Sequence, residues 1–140
     1  MDDLAELRAL FERLQEAVRA LDYDAVQPAI ADSAVMFGSF ENMMVGFEDM
    51  RDRQFRHVWP RIGNFTIELD TMRADVRGDL AWAAFLFHTS AKDENGRSIR
   101  REGRMTFVLE RRNERFVIVH SHDSLAPART LGGLMSDIVS

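Results

Sequence analysis

The stretch Gly103-Arg-Met-Thr-Phe-Val-Leu-Glu-Arg-Arg-Asn-Glu-Arg-Phe-Val-Ile-Val-His-Ser-His-Asp-Ser124 decides how the fold is read. Arg104, Thr106, Val108 and Glu110 alternate with Met105, Phe107 and Leu109. Further on, Phe116, Ile118, His120 and His122 alternate with Val117, Val119, Ser121 and Asp123. A period of two is that of strands, so the stretch is two long strands joined by a polar turn. The turn holds Asn113 without a following glycine, which predicts a longer or bulged connection. By alternation Asp123 shares a face with Val117, Val119 and Ser121, beside Met105 and Phe107 of the neighbouring strand. A one-residue bulge would exchange the faces and bring His122 inward instead.

Outward from this hairpin, the pattern of strands continues towards the N-terminus. Phe65, Ile67 and Leu69 alternate with Thr66, Glu68 and Asp70, and the most apolar run of the chain, Leu80 to Thr89, follows the turn Arg77-Gly78-Asp79. A run apolar on both faces is an inner strand with both sides covered. Asn95-Gly96 then marks a hairpin, because both residues tolerate positive φ. The sequon Asn64-Phe65-Thr66 is read as the start of a strand.

The first sixty residues are helical. Leu4, Leu7, Phe11, Leu14, Val18 and Leu21 recur at steps of three and four, with Arg8, Glu12 and Arg19 opposite, which predicts an amphipathic helix over a sheet. Asp3 and Glu6 have the spacing of a capping box. Asp24 is placed to cap a short helix through Ala25 to Ile30, and Ser33 to Phe37 reads as a short strand. Phe47, Met50, Phe55 and Val58 resume helical spacing after Gly46, and Pro60 ends that helix at Trp59. Helices first and an antiparallel meander afterwards predict an α+β domain, its helices on one face of a curved sheet. In the tail after Ser124, Leu134, Met135, Ile138 and Val139 follow Gly132-Gly133, compatible with a short docked helix or with a frayed end.

With 140 residues the chain is read as one domain, residues 1–140. Its 46% hydrophobic and 29% charged residues are those of a globular chain, and no run approaches the roughly 18 apolar residues of a membrane span. A net charge of −5 argues against a nucleic-acid partner. Without cysteine there is neither a disulfide nor a thiolate-ligated metal. Asp2, Asp3 and Glu6 stand where a secretory signal would be basic and then apolar, which predicts the cytoplasm.

The leading amphipathic helix, Asp32-Ser-Ala-Val-Met-Phe37, Gly46-Phe-Glu-Asp-Met50, Arg104-x-Thr-Phe-Val-Leu-x-Arg-Arg112 and Phe116-x-Ile-Val-His-Ser-His-x-Ser124 together resemble the nuclear transport factor 2-like superfamily in its SnoaL-like branch. They are also similar to ketosteroid isomerase-like proteins and to the association domain of calcium/calmodulin-dependent kinase II. The resemblance covers about residues 3–127. It implies a cone-shaped, cystatin-like fold, in which a mainly antiparallel sheet bends around a helix to leave an apolar pocket, and a homodimer formed by the outer sheet face. It also implies activities that range from isomerase, cyclase and dehydratase to none. The isomerase's tyrosine-plus-acid pair finds no match here. Where the kinase domain's cavity carries arginines, two of the aligned positions hold Phe107 and Asp123, which implies a drier, less cationic cavity.

The candidate site follows from the strand faces. Asp123 is the candidate base, with His122 or Tyr23 as hydrogen-bond donor, and Phe37, Trp59, Phe85, Phe87, Met105 and Phe107, with His88 and Ser121, are the candidate pocket. Such a lining suits an apolar or aromatic small molecule. Two classes of function stay open: an enzyme that removes a proton next to a carbonyl, as in an isomerase or lyase, and a ligand-binding or dimerisation module without chemistry. No cofactor is expected. His88, His120 and His122 invite a metal reading, but a meander separates the strands of His88 and His120 by about 9.6 Å, too far for ligands converging within about 2.1 Å of one ion.

Overall fold

The computed structural model describes residues 2–127; the tail with Leu134 to Val139 lies outside them. The elements run α1 (Asp3–Ala20), a 3-10 turn (Tyr23–Ala29), β1 (Ile30–Phe37), β2 (Met43–Val45), α2 (Phe47–Met50), a π-helical turn (Arg51–Phe55), α3 (Arg56–Val58), a second 3-10 turn (Trp59–Arg61), β3 (Gly63–Arg77), β4 (Leu80–Lys92), β5 (Ser98–Arg112) and β6 (Arg115–Leu125). The six strands form one sheet in the order β2-β1-β6-β5-β4-β3. All pairs are antiparallel except β1 with β6. The fold is therefore α+β, with the helices on one face of a curled, mostly antiparallel sheet.

The helix α1 lies where the sheet is lined by its smallest residues. Ala81 and Ala83 of β4 are fully buried, and Phe11 enters between Phe85 and Phe107, its ring centroid 4.9 Å from each. Such tilted ring pairs add to simple burial. The same helix covers the sheet edge. Arg19 Nε donates to Phe65 O at 2.8 Å, and Gln15 Oε1 accepts from Ile67 N at 2.8 Å, so two backbone groups that β3 turns away from its neighbour are satisfied by side chains. At the other end Glu6 Oε2 accepts from Phe116 N, and Arg111 bonds Asp3 while lying over the Phe116 ring.

Several local expectations are corrected. The cap of α1 is Asp2, whose carboxylate accepts from Ala5 N; Asp3 lies inside the first turn. Leu4 and Leu21 are exposed ends of the apolar stripe, and Leu21 is the left-handed C-cap. The segment after Asp22 is a 3-10 turn without a side-chain cap, since Pro28 cannot join an α-helical ladder. Asn95-Gly96 does lie in a hairpin, between β4 and β5, whereas the turn at Asn113 is tighter than expected. Asn95-Gly96 sits in a wider loop closed between Asp93 and Arg97, with Asp93 Oδ1 accepting from Asn95 N and Arg97 N. Asn113-Glu114 is the tight two-residue turn, both residues at positive φ (50° and 66°) as a type I′ turn requires.

One irregularity governs the site. Val108 pairs with His120 and Leu109 with Ile118, so Val119 is an extra residue, a bulge in β6. Before the bulge Phe116 and Ile118 are buried; after it the inward positions are Ser121 and Asp123. Asp123 thus shares its face with Phe116 and Ile118, not with Val117 and Val119. No helix among the described residues is long and apolar enough to cross a membrane.

Candidate functional site

Between α1, the helical run from Phe47 to Arg61 and the concave side of the sheet lies a cavity of about 470 Å³. This is within the usual size of small-ligand sites. Its walls are mainly apolar: Leu10, Leu14 and Val18 of α1, Phe55 and Trp59, and Phe87, Met105, Phe107 and Ile118 of the sheet. Two lining rings stack, Phe55 on Trp59 at 4.7 Å, and Tyr23 backs Trp59 from outside the lining at 5.1 Å. The π-helical turn contributes both Phe55 and a buried polar residue, Gln54. Gln54 is 3% exposed; its Oε1 accepts from Phe40 N and Glu41 N, and its Nε2 donates to Ser39 Oγ, which holds the loop after β1 over the cavity.

Asp123 opens onto this cavity opposite Met105. Its Oδ1 is cut off from solvent and has no hydrogen-bond partner, although the residue as a whole is only half-buried. Burial without a compensating bond disfavours the charged form and pushes the carboxyl up from 3.8 to about 7. Near neutral pH such a group divides between acid and base. Ser121, one inward position earlier on β6, also lines the cavity.

The candidate residues divide. Trp59, Phe87, Met105, Phe107, Ser121 and Asp123 are brought together at the cavity. Phe85 is buried but packs on Phe11 in the core next to it. Tyr23 is set back, its ring stacked on Trp59 and apart from the lining. Phe37, His88 and His122 belong to the outer side of the sheet. Phe37 is 36% exposed, with His120 and His122 each edge-on to its ring at 5.3 Å, and His88 Nδ1 lies 3.5 Å from Glu68 Oε1. The bulge at Val119 does not bring His122 inward, because it occurs before Ser121 and fixes the phase of everything after it. β5 lies between the strands of His88 and His120, and among the described residues no three side chains are grouped to hold a metal ion.

Sequence reasoning missed Gln54, which has the helical spacing of Phe47, Met50 and Val58 but a polar side chain, and the cationic part of the lining. Arg13, Arg61, Lys92 and Arg101 all line the cavity, together with His57. Arg101 was in phase with Met105 and Phe107 all along, two and three alternations upstream.

A family model described as a SnoaL-like domain matches residues 7–129. Among curated proteins none matches the sequence. Solved structures resemble the chain in fold. A nuclear transport factor 2-like protein of unknown function from Pseudomonas putida KT2440 is 25% identical over 92% of both chains, with a TM-score of 0.73. The association domain of C. elegans CaMKII is 20% identical, covering 86% of this chain and 93% of its own, with a TM-score of 0.67. A protein of cystatin-like fold from Caulobacter vibrioides is 13% identical over 97% and 96%, with a TM-score of 0.73.

Proposed function

Because the chain belongs to the SnoaL-like domain family, we propose that its cavity binds an apolar or aromatic small molecule and that Asp123 removes a proton next to a carbonyl of that molecule. The observation that carries this reading is the unpartnered carboxylate of Asp123 in a mainly apolar cavity. A base works best with a pKa near the operating pH, and burial brings this group to about 7. Asp123 would take the proton from carbon while the electron pair moves onto the carbonyl oxygen, giving an enolate. The Ser121 hydroxyl, on the same face, is the donor placed to receive that oxygen. Return of the proton to another carbon is an isomerisation; delivery of the proton from Asp123 to a β-hydroxyl, which leaves as water as the enolate collapses to the conjugated carbonyl, is a dehydration.

The test is exchange of the α-protons of 2-tetralone, an aromatic ring ketone, for deuterium, followed by NMR. The parent should accelerate exchange, and Asp123→Asn should reduce the acceleration by about 10²-fold or more. No acceleration by the parent would remove the proton-abstraction step. The second reading, a ligand-binding or dimerisation module without chemistry, would then hold; the positions of Tyr23 and His122 away from Asp123 favour it. For either reading we infer a homodimer through the outer sheet face. Leu80, Trp82 and Leu86 of β4 are 51%, 43% and 45% exposed there, beside Val108 and Val117 of the neighbouring strands. A two-fold contact would cover this patch on both copies. Sedimentation equilibrium that gives only monomer at micromolar concentration would overturn it.

A further inference from the structure

We propose that the ligand of this cavity is an amphipathic anion, with an apolar body inside and an acidic group at the rim. The inference rests on the ligand-binding reading above and names its ligand class. The chain carries more acid than base, 23 acidic residues against 18 basic, yet four cations and a single acid line the cavity. Arg13 comes from α1, Arg61 from the second 3-10 turn, Lys92 from the end of β4 and Arg101 from β5. All four are exposed, so they belong to the opening and not to the floor.

Among the other described cations eight are held in ion pairs, whereas Arg8, Arg73, Arg97, Arg104 and Arg115, which are scattered over the surface, are not. Arg53 bonds Glu41 and Asp49, Arg111 bonds Asp3, Arg112 bonds Glu110 and Arg77 bonds Asp75. Arg13, Arg61, Lys92 and Arg101 have no ion pair or hydrogen bond among the described residues. Unneutralised charge of one sign around an apolar cleft draws in and orients a ligand of the other sign. The second, independent feature is the unpartnered Oδ1 of Asp123 within the same cavity. Asp123 pairs with Met105, four residues along β5 from Arg101, which is about 13 Å at about 3.3 Å per residue. A ligand that reaches both ends therefore has the length of a ten-carbon chain or of a fused two-ring body with an acidic arm. The acid would meet arginines at the rim, and its apolar part would lie along Phe87, Met105 and Phe107.

The test uses the uncharged dye N-phenyl-1-naphthylamine as reporter and displaces it with decanoate or with decan-1-ol, which share a chain and differ in charge. Decanoate should displace the dye at about tenfold lower concentration than the alcohol, although the alcohol is the more hydrophobic. Raising the ionic strength, or the double substitution Arg61→Gln with Arg101→Gln, should abolish that advantage, read as the ratio of the acid's to the alcohol's displacing concentration. Equal displacement by acid and alcohol, or an acid advantage that survives the double substitution, would overturn the proposal while the cavity remains a ligand site. Failure of dye, acid and alcohol alike to bind or to shift thermal unfolding would overturn the ligand-binding reading itself.

Discussion

The two faces of β3 to β6 treat carboxylates in opposite ways. On the outer face Glu68 lies 3.8 Å from Arg100 and 3.5 Å from His88, Glu102 lies 3.1 Å from Arg100, and Glu110 lies 2.6 Å from Arg112. On the inner face Asp123 has no cation or donor bonded to Oδ1, and it lies among aromatic and aliphatic side chains. Outside, the carboxylates lie against cations, although His88 Nδ1 near Glu68 is cut off from solvent without a hydrogen bond of its own. Inside, a single acid is held in a state that costs stability. A polar group that the fold leaves unsatisfied is where a ligand can supply the missing partner.

The largest effect expected from this contrast is that of Asp123→Asn on stability against pH. The folded carboxyl is raised to about 7 while the unfolded one stays near 3.8. Well below pH 3.8 both states are protonated and the group contributes no difference. As pH rises towards 7 the unfolded chain releases its proton first, so stability falls, and above 7 the loss is complete. A shift of about three units corresponds to an upper bound of about 4 kcal/mol, and the half-exposed side chain argues for about 2. Asp123→Asn removes the ionisation, so denaturant unfolding should find it more stable than the parent at pH 8 by about 2 kcal/mol, the difference falling to about 0.5 kcal/mol or less at pH 4. Arg13, His57, Arg61, Lys92 and Arg101 are the other charged or titratable groups of the lining, and their attraction for the carboxylate would reduce the difference. An Asn variant less stable at pH 8 than the parent would mean that Asp123 is satisfied in solution and that the two faces are alike.

An effect of comparable size is expected where the inner face has no room. A Cβ at Gly103 would collide with the Phe87 ring and come within 2.7 Å of Ser124 O. Gly103→Ala should therefore push Phe87 towards the cavity and destabilise by about 1 to 3 kcal/mol, measured by chemical unfolding. It should also weaken binding of N-phenyl-1-naphthylamine. A loss of stability without a change in dye affinity would sharpen the picture, because the Phe87 ring would then have moved away from the ligand space.

Much of this architecture was legible in the sequence because period-two alternation is strong in Phe65 to Leu69, Leu80 to Thr89 and Met105 to Leu109. Core positions need apolar side chains, and the pattern records them. That Asp123 lies beside Met105 also followed from alternation, while which of Asp123 and His122 faces inward stayed open. The bulge at Val119 did not follow, since the residues Val117, Ile118 and Val119 are interchangeable in polarity and hide a change of phase. Turn chemistry misled in the same way. Glu114 adopts a positive φ that sterics disfavour for any side chain, and the register of two long strands with Arg112 opposite Arg115 imposes it. The candidate site was legible only where it coincides with the core face. Phe37 and His122 are in phase with one another on the outside, and the curvature that sets Tyr23 behind Trp59 is a tertiary property.

The smallest effect expected is that of Glu68→Gln on the outer face, and it tests the other half of the contrast. Glu68 is half-buried, with His88 half-buried and Arg100 exposed as its partners. Ion pairs in such positions contribute about 0 to 1 kcal/mol, because solvent screens them and long side chains must be ordered to form them. Glutamine keeps the shape and a hydrogen-bonding amide, and Arg100 retains Glu102 at 3.1 Å. Unfolding of Glu68→Gln should accordingly differ from the parent by less than about 1 kcal/mol. The difference should also keep one sign between pH 5 and pH 8, with no rise of the kind expected for Asp123→Asn. A variant that gained stability with pH as Asp123→Asn is expected to do would place Glu68 in an equally desolvated site. Burial on the concave side would then no longer be what distinguishes Asp123, and the cavity would lose its best chemical candidate.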